Sequence, residues 1–173
     1  MGYLHIENLY KNQTILLFRE CFALEKIHGT SAHVAWREGR VHFFPGGEDA
    51  ARFAALFDLT LLTARFVELG HADVCVFGEA YGGRQQGQSW RYGKSLRFIA
   101  FDVSVGHSWL AVPQAEDVAG KLELDFVDYA RTPTDLAALD ALRNAPSAQA
   151  RRTASRTNNP ARALSSARLS RSR

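Results

Sequence analysis

The stretch Glu25-Lys26-Ile27-His28-Gly29-Thr30 lies between two strand-like segments, residues 14–24 (TILLFRECFAL) and 31–36 (SAHVAW). A lysine set among apolar segments is costly to bury. Two outcomes compete for it. The commoner is a side chain that snorkels to water from a strand end. The other is a nucleophilic amine. An ordinary lysine, with a pKa of about 10.4, is almost wholly protonated at neutral pH. Desolvation and a nearby cation lower that value and turn the amine into a nucleophile. The chain has only four lysines (Lys11, Lys26, Lys94, Lys121), so the setting of each is informative.

Outward from this stretch the pattern is mixed. Residues 31–36 and 41–44 flank Glu38-Gly39-Arg40 and predict a β-hairpin, which Pro45-Gly46-Gly47 ends. From 48 to 69 the apolar residues Phe53, Leu56, Phe57, Leu61 and Leu62 recur at helical spacing, and Gly70 reads as the stop. Short strands are expected at 74–77, 96–103, 109–112 and 122–127, and a helix over 134–143 with Thr134 as its N-cap. The stretch AYGGRQQGQSWRYG (80–93) reads as a loop; it lacks the Lys-Ser/Thr of a P-loop. The fold class expected is α+β, with mixed or antiparallel sheets and a helix or two packed on them.

Composition narrows the function classes. With 173 residues, 46% hydrophobic and 23% charged, the chain reads as one globular domain. It has neither an apolar run near the roughly 20 residues of a membrane helix nor a signal-like start, so no membrane partner and a cytoplasmic setting are expected. Residues 1–140 hold 13 Lys/Arg against 18 Asp/Glu, a net of −5, while 141–173 hold eight arginines and no acid. Global charge therefore gives no warrant for nucleic-acid binding by the folded part. Cys21 and Cys75 are isolated, and the six histidines form no paired metal motif, so metal ligands stay unknown.

Three motifs in order change the balance at Lys26. The KIHG of 26–29, in the form EKIHGT, resembles motif I of the covalent nucleotidyltransferases, and is close to that of the T4 RNA ligase 2 family. Val76-Phe77-Gly78-Glu79 resembles motif III. Tyr92-Gly93 followed by Phe98-Ile99-Ala100-Phe101-Asp102-Val103 resembles motif IIIa. The resemblance spans about residues 6–149. It implies a nucleotidyltransferase (ATP-grasp-like) ligase core: an ATP-dependent RNA ligase that forms a lysyl-AMP intermediate and seals 5′-phosphate to 3′-hydroxyl RNA ends. By the resemblance Lys26 is the nucleophile and Glu25 meets the adenine edge. His28 and Gly29 shape the phosphate side, Glu79 lies on the ribose and metal side, and Phe101 stacks on adenine. ATP and Mg²⁺ are the implied cofactors and broken RNA ends the partner, for a monomer in a cell or phage-infected host. The alternatives are a nucleotide-binding remnant without catalysis, or a DNA ligase or capping enzyme of the same chemistry. Glu79 and Phe101 also have ordinary readings, as a strand-end carboxylate and a core aromatic.

The pattern departs from the family in three places. Ser31 stands where the best-known members have asparagine. Pro45-Gly46-Gly47 occupies the region of an expected arginine. No EGxV or K-x-K strand follows residue 150, so activity is expected to be impaired; Glu38-Gly39-Arg40-Val41 mimics EGxV but falls inside the hairpin. The division expected is a partial adenylyltransferase domain over 1–149, incomplete at its C-terminus, and a disordered arginine-rich tail over 150–173. That tail reads as a possible frameshift product. With permitted codons, 160–167 (PARALSSA) gives REGVVLR in a shifted frame, and the coding DNA decides the matter.

Overall fold

In a computed structural model, residues 3, 7–9, 11–83 and 89–158 are described. Two antiparallel sheets carry the chain. Strands β1 (Glu20–Leu24), β2 (Gly29–Arg37), β3 (Arg40–Phe44), β4 (Val74–Tyr81), β5 (Arg97–Val105), β6 (Ser108–Trp109) and β7 (Tyr129–Pro133) alternate with helices α1 (Ala50–Ala54), α2 (Leu59–Leu69), α3 (Val112–Lys121), α4 (Leu136–Arg143) and α5 (Ala148–Asn158). The larger sheet has the order β3-β2-β4-β5-β6, and β1 pairs with β7 in a separate two-stranded sheet.

Alternation along the central strands explains the layering. Val74, Val76 and Ala80 of β4 join Ala32, Val34 and Trp36 of β2 on one face. There they pack with Phe53, Leu62, Phe66, Ala115 and Ala119 from α1, α2 and α3. Cys75, Phe77, Glu79 and Tyr81 therefore point to the other face, which carries no helix of this layer. Phe77 and Cys75 cluster there with Ala35, and Tyr81 with Ile27, Tyr92, Ile99 and Val127.

The hairpin forms as expected. Glu38 and Gly39, at φ 51° and 71°, make the tight turn joining β2 and β3, which identifies Glu38-Gly39-Arg40-Val41 as turn chemistry. Gly70 ends α2 at φ 72°, also as expected.

Several expectations are corrected. The single helix over 48–69 is two, because Asp49 and Asp58 each accept a backbone N–H three residues on and start separate helices. The strand expected at 109–112 gives way at Val112 to α3, which has Pro113 in its first turn. Residues 122–127 make only one parallel bridge, Ala100 with Phe126. The N-cap of α4 is Asp135 rather than Thr134, whose hydroxyl donates instead to the Phe18 carbonyl. Helix α5 runs from Ala148 to Asn158, and Thr153 on it is fully buried. Residues 84–88 of the glycine-rich loop and 159–173 of the arginine-rich tail lie outside the described residues.

Candidate functional site

Residues 25–28 form the short link from the two-stranded sheet to the five-stranded one, so Lys26 stands where the two sheets meet. Backbone contacts fix both ends of this link. The Glu25 N–H donates to the Asp128 carbonyl at 2.8 Å, and Gly29 enters β2 opposite Tyr81 of β4. Between them Ile27 is buried, which turns its neighbours outward: Lys26 is exposed and His28 half-buried.

Gly29 is there because nothing larger fits. A Cβ at this position would lie 2.1 Å from the Ala80 carbonyl oxygen and 3.0 Å from Glu79 Cγ. The close approach lets the Gly29 N–H reach the Glu79 carboxylate. Burial pushes the Glu79 pKa above the ordinary carboxylate range, and the Gly29 N–H and the Lys26 charge oppose that rise. Lys26 and Glu79 thus feel each other across the strand entrance. Gly78 is constrained in the same way, since a Cβ there would meet the Ile99 carbonyl oxygen at 2.3 Å and the Phe98 ring at 2.5 Å.

Phe101 is the extra residue of a β-bulge. Phe77 pairs with Asp102 and Gly78 with Ala100, which leaves Phe101 unopposed on β5. The bulge turns its ring to the helix-free face, where it is half-buried and packs at the edge of the Ile27–Tyr81–Ile99 cluster. Tyr3 meets that ring edge-on at 4.9 Å, and its hydroxyl donates to Asp102 Oδ2 at 2.9 Å. Further along the same face His33 stacks on Phe44 at 4.1 Å, and burial lowers its pKa to about 4.

The structure brings Glu25, Lys26, His28, Gly29 and Glu79 together at the sheet junction, with Phe101 on the adjoining apolar cluster. The turn at 45–47 also docks here. The Gly47 N–H donates to Thr30 Oγ1 at 2.9 Å, and a Cβ on Gly46 would meet the Ser31 carbonyl oxygen at 2.0 Å. A glycine turn seated on Thr30-Ser31 therefore fills the place where an arginine was expected.

Two further groups escaped the sequence reading. The Glu25 carboxylate accepts from Ser147 Oγ at 2.5 Å and from the Gln149 N–H at 3.2 Å. Gln149 Nε2 donates to the Tyr81 hydroxyl at 2.6 Å.

The architecture can be matched to solved structures. A Naegleria gruberi RNA ligase variant with AMP and manganese superposes with a TM-score of 0.69 at 15% identity, over 87% of this chain and 50% of that one. A variant with ATP and manganese gives 0.60 at 16%, over 77% and 44%. The same ligase with pyrophosphate gives 0.61 at 15%, over 77% and 43%. The fold is that of an RNA ligase nucleotidyltransferase. This chain spans about half of those ligases or less. No family model matches it, and no curated protein matches it in sequence. Among the described residues no helix is long and apolar enough to cross a membrane.

Proposed function

We propose that this chain is the nucleotide-binding half of an ATP-dependent RNA ligase of the T4 RNA ligase 2 type. The observation that carries the reading is the junction itself: in a ligase fold, the KIHG link holds Lys26 beside a half-buried carboxylate, next to an apolar face that ends in Phe101. In this reading Lys26 Nζ, once deprotonated, attacks the α-phosphorus of ATP. A P–N bond forms, the bond to the bridging oxygen breaks, pyrophosphate leaves, and AMP stays on the lysine. Phe101 offers a ring for the purine, and Glu25 a hydrogen-bond acceptor for its edge. Transfer of AMP to an RNA 5′-phosphate and sealing by a 3′-hydroxyl would follow.

Among the described residues no group of three or more His, Cys, Asp or Glu is placed to hold a metal ion. In this reading a divalent ion would arrive with the substrate, as the counter-ion of the triphosphate.

The solvent exposure of Lys26 favours a second reading, nucleotide binding without transfer. Incubation with α-labelled ATP and Mg²⁺ or Mn²⁺, followed by denaturation, separates the two. Covalent label that is lost in Lys26→Ala supports the ligase reading. ATP binding by folded protein without any retained label supports the other.

A further inference from the structure

The acids of this chain are unevenly spread. Residues 80–101 contain no Asp or Glu, and neither do residues 141–173. The fold brings the two acid-free stretches together, because the single helical turn Ser89–Tyr92 packs against α5. At this junction Trp90 is 72% exposed.

The turn that displays it is firmly held. Tyr92, 1% exposed, meets Tyr81 edge-on at 5.3 Å, and Gln149 of α5 bonds the Tyr81 hydroxyl. The Arg97 guanidinium donates to the Tyr92 and Ser95 carbonyls at 2.9 and 3.3 Å, and the Gly83 N–H to the Gly93 carbonyl at 2.9 Å. Tyr92 also shares its cluster with Ile27, the residue after Lys26, so the turn and the lysine link have one anchor.

The charges beside the indole are not neutralised. The Arg91 guanidinium lies 5.5 Å from the ring centroid. Arg91 and Lys94 are exposed, as is Arg151 on α5, and among the described residues none of the three forms a salt bridge, whereas seven other cations do. An exposed indole with free cations one and four residues on offers a face on which a base stacks and charges for the backbone that links bases. An acidic peptide matches the charge and not the ring, and a duplex keeps its base faces stacked inside. A single strand supplies both.

We propose that Trp90, Arg91 and Lys94 form a binding surface for single-stranded RNA, with one unstacked base on the indole and its neighbouring phosphates on the two cations. That the strand is RNA rests on the ligase reading, and the surface gives that substrate a hold beside the Lys26 link.

The test is binding of an unstructured RNA of about 12 nucleotides to the full chain, read by anisotropy and by quenching of indole emission over a salt series. The side chains changed are exposed, so the core stays intact. Wild type should bind with quenching. Trp90→Ala and Trp90→Leu should each weaken binding about tenfold, the scale of one stacked base, and Trp90→Phe should retain it. The double variant Arg91→Gln with Lys94→Gln should flatten the slope of log affinity against log salt by about 1.4, at about 0.7 per phosphate on a single strand. Binding of a blunt RNA duplex, or of vesicles containing phosphatidylserine, should be indifferent to Trp90. Unchanged single-strand affinity in Trp90→Ala assigns binding to other cations of the chain and overturns the proposal. Wild-type affinity in Trp90→Leu, or vesicle binding that falls in Trp90→Ala while RNA binding holds, also overturns it, because Trp90 is then an apolar anchor. Covalent ATP labelling of wild type, run in parallel, reads the ligase proposal separately. Label without Trp90-dependent RNA binding overturns only this inference, and Trp90-dependent RNA binding without label overturns only the transfer step.

Discussion

A Cβ built on Gly29 would sit 2.1 Å from the carbonyl oxygen of Ala80, whereas an ordinary carbon–oxygen contact is about 3.3 Å. In Gly29→Ala the start of β2 must therefore withdraw from β4 by about 1.2 Å, the difference between those separations. The obstacle is backbone in a central strand, so it cannot rotate away as a side-chain tip would. Overpacking of this kind costs about 1–3 kcal/mol. Loss of a backbone hydrogen bond at the strand entrance adds about 1 kcal/mol. The smaller entropy of the unfolded alanine chain returns about 0.5–1 kcal/mol. A net destabilisation of about 2 kcal/mol is expected in urea unfolding. Gly120 is the control: it is an exposed helix position where a Cβ meets nothing within 4 Å, and Gly120→Ala should stabilise by about 0.5–1 kcal/mol. Gly29→Ala should also lose ATP labelling under conditions where it is still folded, because the shift moves the Lys26 link away from Glu79. A variant as stable as wild type, and labelled as well, would refute the close-approach argument for the KIHG glycine.

Three other outcomes follow from the electrostatics. Glu79 has a raised folded pKa, so its contribution to stability is present below the ordinary carboxylate range and is lost as pH rises through the raised value. Glu79→Gln should therefore be no less stable than wild type at pH 7, with a flatter stability–pH curve, while ATP labelling falls at least tenfold. His33 has the opposite sign. Its pKa falls to about 4, so its stabilisation is present above about 6.5 and is lost as pH drops toward 4. Discounted for partial exposure, that loss is about 1–2 kcal/mol, and His33→Phe should remove it from acid unfolding curves. Burial raises the Cys75 thiol to about 11. In native protein at pH 7 an aromatic disulfide reagent should therefore modify Cys21 first, and Cys75 only on the timescale of unfolding.

Residue order revealed which groups gather at the candidate site more readily than it revealed the scaffold around them. Lys26, Gly29 and Glu79 stood out as neighbours because their placement depends on residue type and order: only glycine passes the Ala80 carbonyl, and a carboxylate on the adjacent strand sits at a fixed register. The hairpin was legible for the same reason, since Glu38-Gly39 states its own turn. Phe101 could be placed on a strand, but the bulge that aims its ring depends on pairing between β4 and β5, which no local pattern reveals. The long helix was overread because the apolar spacing runs on through Leu56 and Phe57, and the capping carboxylate of Asp58 was given less weight than periodicity. Helix α3 was missed because its mean polarity hid a single apolar stripe, with Ala115 and Ala119 its buried residues. The role of α5 was out of reach altogether. Its arginines suggested solvent, while the contacts that matter come from Ser147, Gln149 and Thr153 on its inner side.

The central claim is that one amine accepts an adenylate. It is tested most directly by peptide mass spectrometry of protein incubated with ATP and a divalent ion, then quenched at alkaline pH to preserve a phosphoramidate. The account requires AMP on the peptide that carries Lys26 and on no other lysine-containing peptide, with acid releasing it. AMP on Lys11, Lys94 or Lys121, or no adduct on folded protein that binds ATP, would contradict it.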